Sequence, residues 1–356
     1  MTMRLERRTQ PSRTALVLAP VGAVAFTLLV SALLVLWAGA PVGRTYGLLL
    51  SGGFGSVFAL SETLTRAIPL ILTGLSAAVA FRARLFNIGA EGQLYAGALA
   101  AVAIGGMHDG TGLEWPVAVL LPLMFLAAAL AGALLLLGPA LMKSRLGVDE
   151  VVTTLLLNFI VLLAVGALLD GPMKDPTAMG WPQSVALQSD LELSKLIPQT
   201  RVHSGLLGAL VLAVGVWLLF KHTVLGFDIR ALGANPRAAA FAGVPVTRTV
   251  VLTALLSGAL AGLAGAVEVA GRTSYVTLDM SPGYGYTGIV IAMLAGLHPL
   301  GVVAAAVFVA GVLVGADSMS RAVGVPTYIA DVIVAASLLS VLVAALFTQF
   351  RLRWSR

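Results

Sequence analysis

Long apolar stretches alternate with short polar breaks along this chain, and the breaks carry most of its charge. Apolar runs fall at about 14–37, 63–81, 117–142, 151–169, 206–220, 249–269, 300–316 and 328–347. A helix crosses the hydrocarbon layer with about 20 such residues, so these runs read as membrane spans. Two further runs are interrupted: 85–106 opens on the polar stretch FNIGAEGQ, and 286–297 ends in Gly296-Leu297-His298-Pro299, where proline cannot continue a hydrogen-bonded helix. A Gly-rich piece at 46–58 reads as interfacial or re-entrant. The pattern predicts an all-α polytopic membrane protein of about ten transmembrane helices with broken or re-entrant segments. Eight spans plus re-entrant pieces fit it nearly as well.

Charge adds an orientation. Arg4, Arg7, Arg8 and Arg13 precede the first span, and that span is longer than the roughly 7–15 apolar residues of a signal peptide, so it reads as a retained anchor with the N-terminus inside. With ten spans, most of the 22 basic residues fall on inner loops and tails; Arg44, Arg66, Lys174, Lys195, Arg201, Arg272 and Arg321 are the exceptions. That bias matches the excess of Lys and Arg on cytoplasmic loops and places both termini in the cytoplasm. The expected layout is a basic N-terminus (1–13), a single transmembrane domain (14–349) with an extracytoplasmic loop at 171–201, and a short tail (350–356).

Composition narrows the class. Hydrophobic residues make up 59% of the 356 and charged residues 11%, with a mean hydropathy of +0.98, well outside the range of soluble domains. Cysteine is absent and the four histidines are scattered, so no disulfide framework, thiol nucleophile or metal site is expected. The net charge of +6 is explained by the inner basic loops rather than by nucleic acid. No phosphate-binding G-x-x-x-x-G-K-[ST] and no G-x-S-x-G is present, so the chain has no expected catalytic residues and binds no ATP itself.

Two polar stretches stand out. In 223–244, TVLGFDIRALGANPRAAAFAGV, Gly226 is expected to free the chain from the preceding span and Gly233 to end a short helical turn bearing Asp228 and Arg230. Asn235 caps a second helix that starts on Pro236, runs through Ala239 and closes at Gly243. Such a compact helix on a basic loop suits insertion into a groove of another protein, since little entropy is lost on docking; a plain connector fits the same residues. In Asn87-Ile88-Gly89-Ala90-Glu91-Gly92-Gln93, the two glycines admit close neighbours. Glu91 is either an intramembrane functional carboxylate or a first-turn anchor favoured by the helix dipole. Asn158 and Glu268 are further candidates for lining a path, with interhelical hydrogen bonding the alternative for Asn158. The pairs Gly258/Gly262 and Gly311/Gly315 read as helix-packing faces. Span two, the break at 86–89 and span three run in the same sense as span eight, the break at 296–299 and span nine, and interrupted segments in corresponding halves point to a transporter's binding region.

These stretches carry a resemblance. G-x-x-x-R-A-x-G-x-N-P from Gly226, with Arg230, Gly233, Asn235, Pro236, Ala239 and Gly243, is similar to the cytoplasmic coupling segment of ATP-binding-cassette (ABC) importer permeases of the sugar and nucleoside branch. FNIGAEGQ, D-E-V-V-T-T-L-L-L-N (149–158), and Gly283-Tyr284-Gly285 through Pro299-Leu300-Gly301 resemble the longer permease of the nucleoside type. The resemblance implies a permease in the bacterial inner membrane that translocates a nucleoside or simple sugar. Its implied partners are an ABC ATPase that carries ATP-Mg, a second permease subunit, an extracytoplasmic substrate-binding lipoprotein and membrane lipid. An ion- or proton-coupled secondary transporter using Glu91 and Glu268 is the rival; a membrane enzyme is disfavoured by the absent motifs.

Overall fold

The computed structural model describes residues 2–7, 13–106, 115–324 and 350–355, with single helical positions between 332 and 343. Its helices are α1 (Arg13–Trp37), α2 (Val42–Phe54), α3 (Val57–Arg82), α4 (Ala90–Gly105), α5 (Val117–Leu146), α6 (Glu150–Asp170), α7 (Gly205–His222), α8 (Val224–Ala234), α9 (Pro236–Phe241), α10 (Val246–Glu268), α11 (Tyr284–Leu294) and α12 (Pro299–Val323). The chain divides into two compact units, Met1–Thr63 with Phe308–Arg356, and Leu64–Val307.

In the first unit, α2 turns back from the Leu28–Trp37 end of α1 by 117°, the geometry of a broken span or a re-entrant piece. Small residues set how closely it packs on α12. A Cβ on Gly315 would collide with the Leu49 carbonyl, and one on Gly311 with the Phe54 ring. The Gly311/Gly315 pair is therefore a packing face, as expected. The terminal tails depart from the all-α expectation: β1 (Thr2–Arg7) and β2 (Phe350–Ser355) pair antiparallel, from Thr2 opposite Ser355 to Arg7 opposite Phe350. Two isolated bridges, Lys174 with Ser184 and Lys195 with His203, complete the extended pairing among the described residues.

The second unit is built on α4, α5 and α10, which approach to backbone contact. Added Cβ atoms on Gly97, Gly132 and Gly258 would strike Gly262, Gly258 and Gly132 respectively, and one on Gly265 would strike the Leu94 carbonyl. Where lipid removes the hydrophobic drive for helix association, such close approach supplies the dispersion contacts that replace it.

Six helices are long and apolar enough to cross a membrane (α3, α5, α6, α7, α10 with the turn after it, and α12), or seven if the bent α1–α2 pair is one span, among the described residues. The expected spans at 85–106 and 286–297 are shorter than full crossings: α4 has 16 residues and α11 has 11. At about 1.5 Å per residue neither reaches the roughly 30 Å of hydrocarbon. The run at 328–347 lies largely outside the described residues.

The two breaks share one construction. At the end of α3, Leu85 N–H donates to the Ala80 carbonyl and Arg84 N–H to Phe81; at the end of α11, Leu297 N–H donates to Ala292 and Gly296 N–H to Met293. Arg84 (φ 54°) and Gly296 (φ 58°) occupy the same left-handed position in this six-residue closure. The sequences there, Ala80-x-x-Ala83-x-Leu85-x-x-x-Gly89 and Ala292-x-x-Ala295-x-Leu297-x-x-x-Gly301, match at those four positions.

Candidate functional site

The break between α3 and α4 is held by one face of α6. Glu150, Thr154 and Asn158 lie four residues apart and so project from one side of the helix. Each bonds to the backbone of the broken segment. Glu150 Oε1 accepts from Phe86 N–H (3.1 Å), Thr154 Oγ1 from Ile88 N–H (3.2 Å), and Asn158 Oδ1 from Gly92 N–H (2.8 Å), while Asn158 Nδ2 donates to the Ile88 carbonyl (2.8 Å) and the Tyr286 hydroxyl (3.1 Å). Lys143 completes the rung, pairing with Glu150 and donating to the Arg84 carbonyl at 2.6 Å. Unwound backbone is tolerated at membrane depth only when its polar groups are satisfied by protein. These side chains provide that satisfaction. Gly89 and Gly92 make it possible, since Cβ atoms there would sit 3.2 Å from Thr154 and Asn158 atoms.

Asn87 points the other way. Its amide and that of Gln93 exchange two hydrogen bonds of 2.9 Å, and Asn87 Nδ2 also reaches Ser257 Oγ of α10 (3.1 Å), which in turn donates to the Ser76 carbonyl of α3 (2.8 Å). Asn87, Glu91, Gln93 and Asn158 are thus gathered around one break, all buried and all hydrogen-bonded within the chain.

Glu91 joins the two half-helices. Its Oε2 accepts from Gly285 N–H in the first turn of α11 (2.6 Å), and a Cβ on Gly285 would overlap the backbone of Ala90 and Glu91. The N-terminal ends of α4 and α11 therefore meet, and a carboxylate sits where their partial positive charges converge. Tyr95, one turn further along α4, donates to the Leu278 carbonyl (2.6 Å) and accepts from Ser281 N–H (3.2 Å), fixing the segment that leads into α11. Glu268 lies apart from this group. It pairs with Arg272 (2.5 Å) across the π-helical turn Val269–Thr273, and Arg272 donates to the Tyr284 hydroxyl (3.1 Å). The first turn of α11 is thus tied to Glu91 directly through Gly285 and to Glu268 by way of Tyr284 and Arg272.

On one side of this unit, loop 171–204 pairs with the strand-like segment after α10. Ser184 N–H donates to the Val276 carbonyl, Leu187 N–H to Ser274 and Leu193 N–H to Ala270. His203 is buried here against Gly271 and Gly205, and burial lowers its pKa to about 4.

The stretch at 223–244 forms two helices, as expected, but its glycines act differently. Thr223, not Gly226, makes the break: it caps α8 by accepting from Gly226 N–H (3.0 Å). Gly226 and Gly233 lie inside α8, where Cβ atoms would collide with the Leu219 and Arg82 carbonyls, so they seat α8 on the ends of α7 and α3. Asn235 caps α9 through Arg237 and Ala238 N–H (3.0 and 3.2 Å), Pro236 opens it, and Gly243 closes it at φ +86°. Arg230 bonds back to the Gly226 carbonyl (3.2 Å). Ala239 is 4% exposed and faces this chain rather than outward; the outward apolar residue of α9 is Phe241, 97% exposed.

Residues 59–342 match the family described as the branched-chain amino acid transport system / permease component, and the chain belongs to that family. It is a multi-pass transport subunit rather than an enzyme. It is 36% identical over 332 residues to the guanosine ABC transporter permease protein NupP of Bacillus subtilis, covering 92% of this chain and 94% of that one. It is 37% identical to the glucose ABC transporter permease protein TsgB13 of Haloferax volcanii (86% and 82%) and 32% identical to the nucleoside ABC transporter permease protein NupB of Lactococcus lactis (91% and 90%). No solved structure matches.

Proposed function

We propose that this chain is the permease subunit of an ABC importer of the bacterial inner membrane that moves a nucleoside, or secondarily a simple sugar, into the cell. The observation that carries the reading is near-full-length similarity to a guanosine and a nucleoside permease. The family's own description names a different substrate class, so the substrate follows the relatives and not the family. ATP-Mg belongs to a partner ATPase, since this chain has no phosphate-binding loop. Bacillus subtilis holds a second guanosine permease, NupQ, 28% identical over 257 residues, which supports a paralogous partner here rather than a homodimer. An extracytoplasmic binding lipoprotein would deliver the solute.

On this reading both termini and 223–244 are cytoplasmic, 171–201 is extracytoplasmic, and 14–349 is one permease domain in which 85–106 and 286–297 enter the membrane as broken segments. Gly226 and Gly233 seat α8 on the transmembrane helices while α9 is presented to the ATPase. Asn87, Glu91, Gln93 and Asn158 hold the broken helices beside the path, and Glu268 braces its outer end. The secondary-transporter reading loses ground because both of its coupling carboxylates are already engaged, Glu91 by Gly285 and Glu268 by Arg272.

The test is uptake in proteoliposomes. The complete importer should accumulate guanosine with ATP present and the proton gradient collapsed. Uptake by this chain alone, driven by an imposed ion gradient, would overturn the assignment.

A further inference from the structure

We propose that Tyr286 is a substrate-contacting residue of the path, offering its ring face and hydroxyl proton to a passing nucleoside; this rests on the importer reading above. Three tyrosines lie on or beside the meeting of the half-helices, and their hydroxyls differ. That of Tyr95 both donates, to Leu278, and accepts, from Ser281. That of Tyr284 is buried and accepts a hydrogen bond from Arg272. Tyr286, 38% exposed, accepts from Asn158, and its own proton has no acceptor among the described residues.

The surroundings make this a prepared donor. Asn158 spends both amide protons, on the Ile88 carbonyl and on Tyr286, and its oxygen on Gly92 N–H, so it cannot turn without breaking the α4 break as well. The phenol oxygen is held at one point and its proton is directed away from the amide. Asn158 is the ninth residue of α6, which at 1.5 Å per residue places it about 12 Å along the span. A free donor exposed to hydrocarbon at that depth is costly, so the open edge of Tyr286 faces a polar phase. A neutral solute with a flat ring and several acceptors matches both faces of the residue, and the meeting of discontinuous helices is where transporters place such sites. The nucleoside fits this chemistry more fully than a sugar, which lacks the aromatic plane.

The experiment uses the whole importer in proteoliposomes, with labelled guanosine and glucose as probes. It reads solute moved per ATP hydrolysed. Tyr286→Phe keeps the ring and loses the proton, and should lower guanosine moved per ATP roughly 2- to 10-fold. Tyr286→Leu loses the ring too, and should lower it about 5- to 150-fold, as removal of a base-stacking aromatic does. Both variants should retain wild-type membrane abundance and ATP hydrolysis stimulated by the loaded binding protein. Wild-type ratios in both variants overturn the proposal. So does release of the second permease by Tyr286→Leu, which would make this face a subunit contact. A wild-type importer that moves glucose and not guanosine sinks the nucleoside reading instead, and the same variants then decide Tyr286 on glucose.

Discussion

The carboxylate of Glu91 caps α11 from 194 residues away, accepting the Gly285 N–H at 2.6 Å. The first N–H groups of a helix lack partners within it, and here a neighbouring half-helix supplies one. Glu91→Ala leaves that buried N–H unsatisfied and should cost about 1–3 kcal/mol, seen as a lower melting temperature in detergent and less folded protein in the membrane. Glu91→Gln keeps an acceptor and should stay close to wild type. Equal loss of uptake in both variants at normal abundance would instead make the charge itself functional.

Asn158 satisfies three groups at once, so its replacement is expected to be worse than that of Glu91. Asn158→Leu strands Gly92 N–H and the Ile88 carbonyl in a dry interior, at about 1–3 kcal/mol each. Size-exclusion profiles of the solubilised protein should show most of it aggregated. A monodisperse Asn158→Leu with a wild-type melting temperature would mean that α6 does not hold the break.

The polar rungs of α6 were legible in principle, because 150, 154 and 158 are spaced by four in an otherwise apolar run. Only Asn158 stands out by composition, since a Glu and a Thr at a span's entrance look like ordinary interfacial residues. The helix positions from 14 to 316 follow from hydropathy, which reports burial from water and not whether a segment crosses. Hydropathy is blind to the seven unwound residues 83–89, whose backbone is bonded by side chains 59 to 70 positions away. The roles of Gly226 and Gly233 differ from the sequence expectation for a related reason: a glycine in a loop suggests a turn, and only the packed backbone of α3 and α7 shows that closeness is the requirement.

His203 should make the loop after α6 acid-labile. Burial brings its pKa to about 4, against about 6.5 for a free imidazole. Between these values the unfolded loop binds the extra proton, so the contribution is fully present above pH 6.5 and is lost as pH falls through about 4. Its size is on the order of 3 kcal/mol. Hydrogen exchange of 171–204 should speed up across that window. His203→Phe should flatten the dependence, and an unchanged profile in that variant would assign it to other groups.

The loop between α7 and α10 offers the sharpest separation of fold from function. Ala239 and Phe241 are two residues apart on α9, one turned into this chain and the other almost wholly exposed. Overfilling a packed position typically costs about 1–3 kcal/mol, so Ala239→Trp should distort α9 itself and raise protease sensitivity at 235–243 whether or not the ATPase is present. Phe241→Ala leaves the loop intact, because its ring contributes little to the isolated chain. If Phe241 fills a pocket of the ATPase, its removal should cost about 2–4 kcal/mol of association, in the range of an interface hot spot. Copurification of the ATPase should then fall while membrane abundance, protease resistance and capture of guanosine by the external binding protein stay at wild-type levels. Arg230, on the helix before it and bonded to its own backbone at Gly226, should matter less. Undiminished ATPase copurification with Phe241→Ala would place the contact on another face of the loop, with Val224 and Phe227 of α8, both exposed, the next residues to remove.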